Sequence, residues 1–270
     1  MKKYMLTIFI VLLSLYGLLL AFLYLSQRQM IYHPDKTIAT PEQYGLQGFS
    51  EQFISSGGER LQLWYHPAPA GRPTVVYYHG NASNLGDRAG IYAALAGQGF
   101  GVLALSYRGY GKSSGSPSEQ GLYADARAAI AFLATQNIPP ANIILYGESL
   151  GTGVAVQMAT EYPVALLVLQ APYTSVAGRA AEMYPYVPVR LLMKDTFDSI
   201  DKIGRVRSPL LIFHGELDTV IPVHHGRALL AAANPPKEAI FFPGNAHNDF
   251  DSQVLAKKVA EFYAAILRRP

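Results

Sequence analysis

Six short apolar runs punctuate the chain: "TVVYYHG" (74–80), "GVLALSY" (101–107), "NIILYG" (142–147), "ALLVLQA" (165–171), "PLLIFHG" (209–215) and "AIFFPG" (239–244). Most are continuous rather than alternating, the pattern of strands buried on both faces. Between most of them lie helical stretches, roughly 86–97, 119–135, 150–161 and 224–233, with a last one near 249–268. Strand alternating with helix implies an α/β architecture, a mostly parallel sheet covered on both sides, with ligands outside the carboxyl ends of its strands. Ahead of these runs, "EQFIS" and "RLQLWYH", separated by "SGGE", have the pattern of a hairpin at a sheet edge, which brings the expected sheet to eight strands. The stretch 172–208 carries no strand signal and is too long for a plain loop, so it reads as a short lid.

Where the third run meets a helical stretch stands Gly147-Glu148-Ser149-Leu150-Gly151, a G-x-S-x-G pattern in the strand-to-helix context that the pattern requires. Gly147, Glu148 and Gly151 shape the turn, and the glycines leave room where strand, helix and substrate crowd together. The competing reading is chance, since five-residue patterns recur in unrelated chains. A serine hydroxyl is a weak nucleophile that needs a base, an orienting acid and an oxyanion site. Asp218 follows the penultimate run and His247 the last, which gives the order serine, acid, histidine of one hydrolase architecture. Glu216 is the rival acid, but it comes directly after the glycine that ends the strand. The oxyanion donors are expected to be the backbone N–H of Leu150 and of Asn81 in "YYHGNASN", with Ala82 as the fallback and His79 and Gly80 shaping that loop. A histidine base, which as a free side chain titrates near ~6.5, predicts activity rising from mildly acidic pH to a plateau at neutral or above.

Composition removes other chemistries. There is no cysteine, so disulfides, thiolate metal sites and a cysteine nucleophile are excluded. The net charge of +3 resides in Lys2, Lys3 and Arg28; the 22 basic residues less these three leave 19 against 19 acidic ones, so the body is neutral and carries no nucleic-acid footprint. No H-E-x-x-H occurs, no acidic or histidine cluster has ligand spacing, and the adjacent His224 and His225 are expected on different sides of a helix, a poor metal pair. His33, His66 and His214 read as interfacial or packing residues. "SYRGYGKSSGSP" offers Gly111-Lys112-Ser113, but a phosphate loop would need glycine where Ser106 stands, and Gly115 and Pro117 interrupt the helix that it would need. That loop is expected to border the active site instead, with Arg108 as a buttress. No cofactor is implied.

From Tyr4 to Leu25 run 22 residues without a charge. A helix of that length covers the ~30 Å hydrocarbon core of a bilayer. A cleaved signal peptide is the rival, but its apolar run is ~7–15 residues and "LAFLYLSQRQ" has no small-x-small site. The expected organisation is an anchor helix over 1–27, a linker over 28–47 and a catalytic domain over 48–270. Lys2 and Lys3 favour a cytoplasmic N-terminus, with the body on the non-cytoplasmic side. Within the lid, "MYPYVPVRLLM" (183–193) is apolar and aromatic. Tyr184, Tyr186 and Leu191, with Tyr173, are candidates for an acyl pocket, ordinary core packing being the alternative.

With "IYHPD", "YRGYGKSSGSPSEQGLY", "APYTS", "FDSIDKI", "HGELDTVIP" and "GNAHND" in collinear order around these motifs, the chain resembles the α/β-hydrolase superfamily. Within it, the chain is similar to membrane-anchored serine hydrolases related to the eukaryotic α/β-hydrolase-domain proteins, which include protein depalmitoylases. The resemblance implies a triad of Ser149, Asp218 and His247, no cofactor and no metal. It departs from the lipidated depalmitoylases in having an apolar span and no N-terminal cysteine cluster, so depalmitoylation does not carry over. The expected partner is a small-molecule or lipid-like ester. A serine aminopeptidase-like enzyme and a non-catalytic tethered binding protein are the alternatives.

Overall fold

Neighbouring residues of the central strands bury themselves in two separate cores, as the two-residue period of a strand demands. Val76, Tyr78, Leu145 and Leu169 enter one; Val75, Tyr77, Tyr146 and Val168 enter the other. Both faces of the sheet are therefore apolar and both must be covered. The computed structural model describes residues 1–37 and 39–268; Ile38 of the expected linker and residues 269–270 of the expected catalytic domain lie outside the described residues.

The sheet comprises β1 (Ser50–Ser56), β2 (Glu59–His66), β3 (Thr74–Tyr78), β4 (Gly101–Leu105), β5 (Ile143–Glu148), β6 (Leu166–Gln170), β7 (Leu210–Gly215) and β8 (Lys237–Phe242). Their spatial order is β8-β7-β6-β5-β3-β4-β2-β1. The hairpin β1–β2 pairs antiparallel and β2 meets β4 antiparallel, while all other pairs are parallel. This is the eight-stranded, mostly parallel sheet read from the sequence. Helices α2 (Ala89–Gly97) and α9 (Ser252–Leu267) cover one face. The other is covered by α3 (Glu119–Thr135), α4 (Leu150–Glu161) and α8 (His224–Ala232). Helix starts follow local capping: Ser118 accepts from Gly121 N–H at the start of α3, and Asp251 accepts from Gln253 and Val254 N–H, so α9 begins at Ser252 rather than near 249.

The stretch 172–208 holds α5 (Val176–Met183) and two single-turn helices, α6 (Val189–Leu192) and α7 (Ile200–Ile203). Ahead of the sheet, α1 (Lys2–Ile31) is one unbroken 30-residue helix with a mean hydropathy of 2.7 in its most apolar window, long and apolar enough to cross a membrane. It runs past residue 27, so the expected boundary between anchor and linker falls inside a helix. Leu20, Leu23, Gln27 and Ile31 recur at helical spacing and, with Ser26, are the less exposed positions of α1. Gln27 donates to the Leu192 carbonyl and accepts from Lys194 N–H, and Arg28 pairs with Asp195 at 2.8 Å, which holds α1 against the lid.

Candidate active site

β5 ends at Glu148 and α4 begins at Leu150, so a single residue makes the turn. Ser149 makes it with φ 50° and ψ −115°, a conformation that costs a side-chain-bearing residue about 1–3 kcal/mol. Its surroundings over-determine that geometry: Ser149 N–H donates to the Gln170 carbonyl at 2.9 Å, and its own carbonyl accepts from Thr152 N–H at 3.0 Å and Thr152 Oγ1 at 2.6 Å. The flanking glycines are required by close approach. A Cβ at Gly147 would stand 2.6 Å from the Gly151 carbonyl oxygen, and one at Gly151 would collide with the Tyr78 carbonyl.

Asp218 and His247 arrive from the loops after β7 and β8, at the same carboxyl edge of the sheet. His247 Nε2 lies 3.0 Å from Ser149 Oγ, and His247 Nδ1 lies 2.7 Å from Asp218 Oδ2. Burial alone would raise the pKa of Asp218, but His214, His247 and the Ile221 N–H favour its charged form and hold it well below the usual carboxylate range. Its other oxygen, Oδ1, accepts from Val220 and Ile221 N–H, each at 2.8 Å. Facing an ionised carboxylate, Nδ1 must be the donor; Nε2 then accepts from the serine hydroxyl. His214, placed from the sequence in packing, donates from Nε2 to the Ile221 carbonyl at 2.8 Å and so steadies the loop that carries Asp218.

Leu150 is the first residue of α4, where an N–H has no intrahelical acceptor. Among the described residues, neither its N–H nor that of Asn81 has a hydrogen-bond acceptor, and both residues line the same cavity as Ser149. The Asn81 loop is pinned from both sides: its carbonyl accepts from the Tyr110 hydroxyl at 2.7 Å and from His33 N–H at 2.9 Å, while Asn81 Nδ2 donates to the Ile31 carbonyl. His79 is fully buried beside the rings of Tyr107 and Tyr110, and its Nδ1 donates to the Gly80 carbonyl at 2.7 Å. Gly80 leaves a Cβ only 3.4 Å from Glu148 Oε1. Glu148, one residue before the serine, is bound by Arg88 and by the Tyr77 hydroxyl.

The apolar cavity in front of Ser149 has a volume of about 280 Å³. Tyr173 and Tyr184 line it, with the Tyr173 hydroxyl donating to the Leu150 carbonyl at 2.9 Å. Tyr186, in the turn between α5 and α6, and Leu191, on α6, do not: they are 88% and 86% exposed, on the outer surface of the lid. Sequence reading missed a whole wall, because Leu23, Tyr24, Gln27, Met30 and Ile31 of α1 line the cavity too. The only signal for it was the polar Gln27 at the end of an apolar helix.

Two further expectations change. His224 and His225 do not diverge: their rings stack at 4.3 Å between centroids, and both meet Glu182 of α5, at 3.1 and 3.2 Å. In the first turn of a helix, long side chains can swing to one partner although their Cβ atoms point apart. The three offer ligand atoms within 4.8 Å of one another, a cluster with metal-ligand spacing that the sequence did not reveal. Arg179 also holds Glu182, and Thr174 Oγ1 meets the other ring nitrogen of His225, Nδ1, at 2.9 Å, so these bonds latch the lid to α8. The "GKS" loop reaches the site through Tyr110, whose hydroxyl meets the Asn81 carbonyl, while Lys112 pairs with Glu51, Ser113 Oγ donates to the Ser106 carbonyl, and Arg108 grips Asp125 of α3 without lining the cavity.

Comparison with known proteins bears on the family and the fold. Residues 69–199 match the family model described as serine aminopeptidase, S33. An uncharacterized protein of Mycobacterium tuberculosis strain H37Rv is 40% identical over 248 residues, 89% of this chain and 88% of that one. Human alpha/beta hydrolase domain-containing protein 17B is 38% identical over 200 residues, 73% of this chain and 68% of its own length. Among solved structures, an esterase of Pyrococcus furiosus superposes with a TM-score of 0.69 at 20% identity, covering 86% of this chain and 98% of that one. The ferulic acid-bound Est1E of Butyrivibrio proteoclasticus gives 0.67 at 17%, covering 81% and 100%. At these identities the two structures speak for the fold.

Proposed function

The chain belongs to the α/β-hydrolase superfamily, in the group of the α/β-hydrolase-domain-containing proteins, and from that premise we propose that it is a membrane-anchored serine hydrolase of carboxylic esters or thioesters with amphiphilic, lipid-like acyl groups. The observation that carries the reading is the unbroken run of hydrogen bonds from Asp218 through His247 to a strained Ser149, beside two N–H groups without acceptors. As Ser149 Oγ attacks the substrate carbonyl, its proton passes to His247 Nε2, and Asp218 stabilises the imidazolium. The N–H groups of Leu150 and Asn81 bind the developing oxyanion, each donor contributing about 2.7–4 kcal/mol. Collapse expels the alcohol or thiol, which takes the proton from His247 and leaves an acyl-serine. Water, deprotonated by the same histidine, then releases the acid.

The substrate class follows from the cavity, whose lining is overwhelmingly aliphatic and aromatic. The family model's description raises an aminopeptidase reading, but binding a substrate ammonium needs a carboxylate in the pocket. Among the described residues that line it none is acidic, and Glu182 of the lid is already engaged by Arg179, His224 and His225. The anchor reading, against a cleaved leader, is supported by the contacts of α1: removing it would strip one wall from the pocket and leave Asp195 without Arg28. In this organisation residues 1–27 anchor the chain, 28–47 link, the first four of them continuing α1, and 48–270 form the catalytic domain on the non-cytoplasmic side, with Lys2 and Lys3 retained in the cytoplasm.

A fluorophosphonate probe tests the nucleophile. Wild-type protein should label and Ser149→Ala should not; equal labelling of both would reject the assignment. p-Nitrophenyl esters of increasing chain length beside aminoacyl anilides test the substrate class, with turnover confined to the anilides favouring the peptidase.

A further inference from the structure

The uncharged stretch Tyr4–Leu25 does not end where the catalytic body begins. Tyr16 lies nine residues before Leu25, about 14 Å along the helix toward its N-terminus, yet its hydroxyl donates to the carbonyl of Tyr186 in the lid at 2.6 Å. A phenol and a loop carbonyl at that depth in hydrocarbon would each be costly unpaired, and here each satisfies the other. Around this contact the lid exposes Met183, Tyr184, Tyr186 and Leu191. Nearer the body, the cations come in: Lys194 sits 4.1 Å above the Tyr24 ring, and Arg28 reaches Asp195. Such a belt of aromatic and cationic side chains marks a membrane–water interface. The lid tip therefore lies on the bilayer side of that belt, and the cavity between lid and α1 runs from there to Ser149.

We propose that this cavity receives the acyl chain of a membrane lipid ester directly from the bilayer, between α1 and the lid, and that Leu23 and Tyr24 of the spanning helix set which chains fit. The inference rests on the reading of Ser149 as the nucleophile. The anchor is then part of the specificity machinery as well as a tether. A long acyl chain lies along α1 without crossing water, while a short ester reaches Ser149 and touches little of the helix.

The test uses the full-length protein in phosphatidylcholine vesicles, with p-nitrophenyl butyrate and p-nitrophenyl palmitate as probes. Leu23→Trp, which fills the α1 side of the cavity, should lower the ratio of kcat/KM for the palmitate to that for the butyrate by about tenfold or more. An equal effect on both esters, or on neither, overturns the proposal. A second variant guards against misfolding. Because the chain has no cysteine, Leu23→Cys carries the sole thiol. Its reaction with a small methanethiosulfonate, which forms a mixed disulfide and releases methanesulfinate, should slow when Ser149 bears a hexadecyl phosphonate and not when it bears an ethyl phosphonate; equal rates contradict an acyl chain against α1. If neither phosphonate reacts with wild-type protein, the nucleophile assignment fails and this inference with it, a result distinct from unselective protection.

Discussion

Arg88 and Glu148 form a buried, two-pronged ion pair one residue before the serine, Nη2 to Oε1 at 2.9 Å and Nε to Oε2 at 3.1 Å, and the Tyr77 hydroxyl donates to Oε2 at 2.7 Å. Burial opposes the charge on Glu148, but Arg88 and Tyr77 outweigh it and hold the carboxyl below its usual range. Removing one partner strands the other charge beside the turn at Ser149. Arg88→Ala should destabilise the protein by about 3–5 kcal/mol, and replacing both residues by apolar ones of similar size should recover most of the loss. Chemical denaturation of the detergent-solubilised chain measures this; a double variant as unstable as the single one would show that the pair acts through something other than mutual neutralisation.

Asp218 is ordered on both oxygens, Oδ1 by the N–H groups of Val220 and Ile221 and Oδ2 by His247. Asparagine keeps the shape, but its amide nitrogen faces His247 Nδ1 and forces the proton to Nε2, where it blocks acceptance from Ser149. Asp218→Asn should lower kcat by about 10⁴-fold with a thermal midpoint near that of wild type. A loss of less than about tenfold would remove Asp218 from the mechanism.

What could be read from the chain was local. Continuous apolar runs, a glycine-flanked serine and the order of acid and histidine after the last strands each announce themselves within a few residues, because strand burial and the tightness of the turn constrain residue type directly. The partners that tune the site are different. Arg88 meets Glu148 across 60 positions, and Gln27 meets Leu192 across 165. Nothing in the composition around Arg88 separates it from a solvated arginine. The α1 wall was hidden for a related reason: an apolar span looks the same whether or not one of its stripes lines a pocket. His224 and His225 misled because helical spacing gives the direction of Cβ, while the rings they carry can turn onto Glu182.

Asp195 ties α1 to the lid and to α3. Its oxygens accept from Arg28 Nε at 2.8 Å, from the Tyr32 hydroxyl at 3.2 Å and from Glu119 N–H at 3.2 Å, and the residue is almost entirely buried. Asp195→Ala leaves two buried donors without an acceptor, at about 1–3 kcal/mol each, whereas Asp195→Asn keeps an acceptor in place. Limited proteolysis should therefore cut the lid faster in the alanine variant than in the asparagine variant. Identical cleavage in both would mean that the contact does not hold the lid.

His79 gives the fold a sensitivity to acid. Burial, then the nearby Arg88, disfavour its charged form and lower its pKa to about 4, against an ordinary value near 6.5. Between those two values the unfolded chain binds a proton that the folded chain refuses. The stability conferred by the neutral imidazole is therefore complete above about pH 6.5 and is lost as pH falls toward 4, by roughly 3 kcal/mol across the interval. His225, which burial also lowers, acts in the same direction, while Asp218 and Glu148, both held below their usual range, lose their contributions only at more acidic pH. Replacing His79 by phenylalanine removes one titrating group but leaves an aromatic ring beside Tyr107 and Tyr110. Denaturation measured from pH 7 to pH 4.5 should give a shallower decline for His79→Phe than for wild type, with the variant the less stable of the two at neutral pH because the Gly80 carbonyl has lost its donor. Parallel declines would place the acid sensitivity elsewhere.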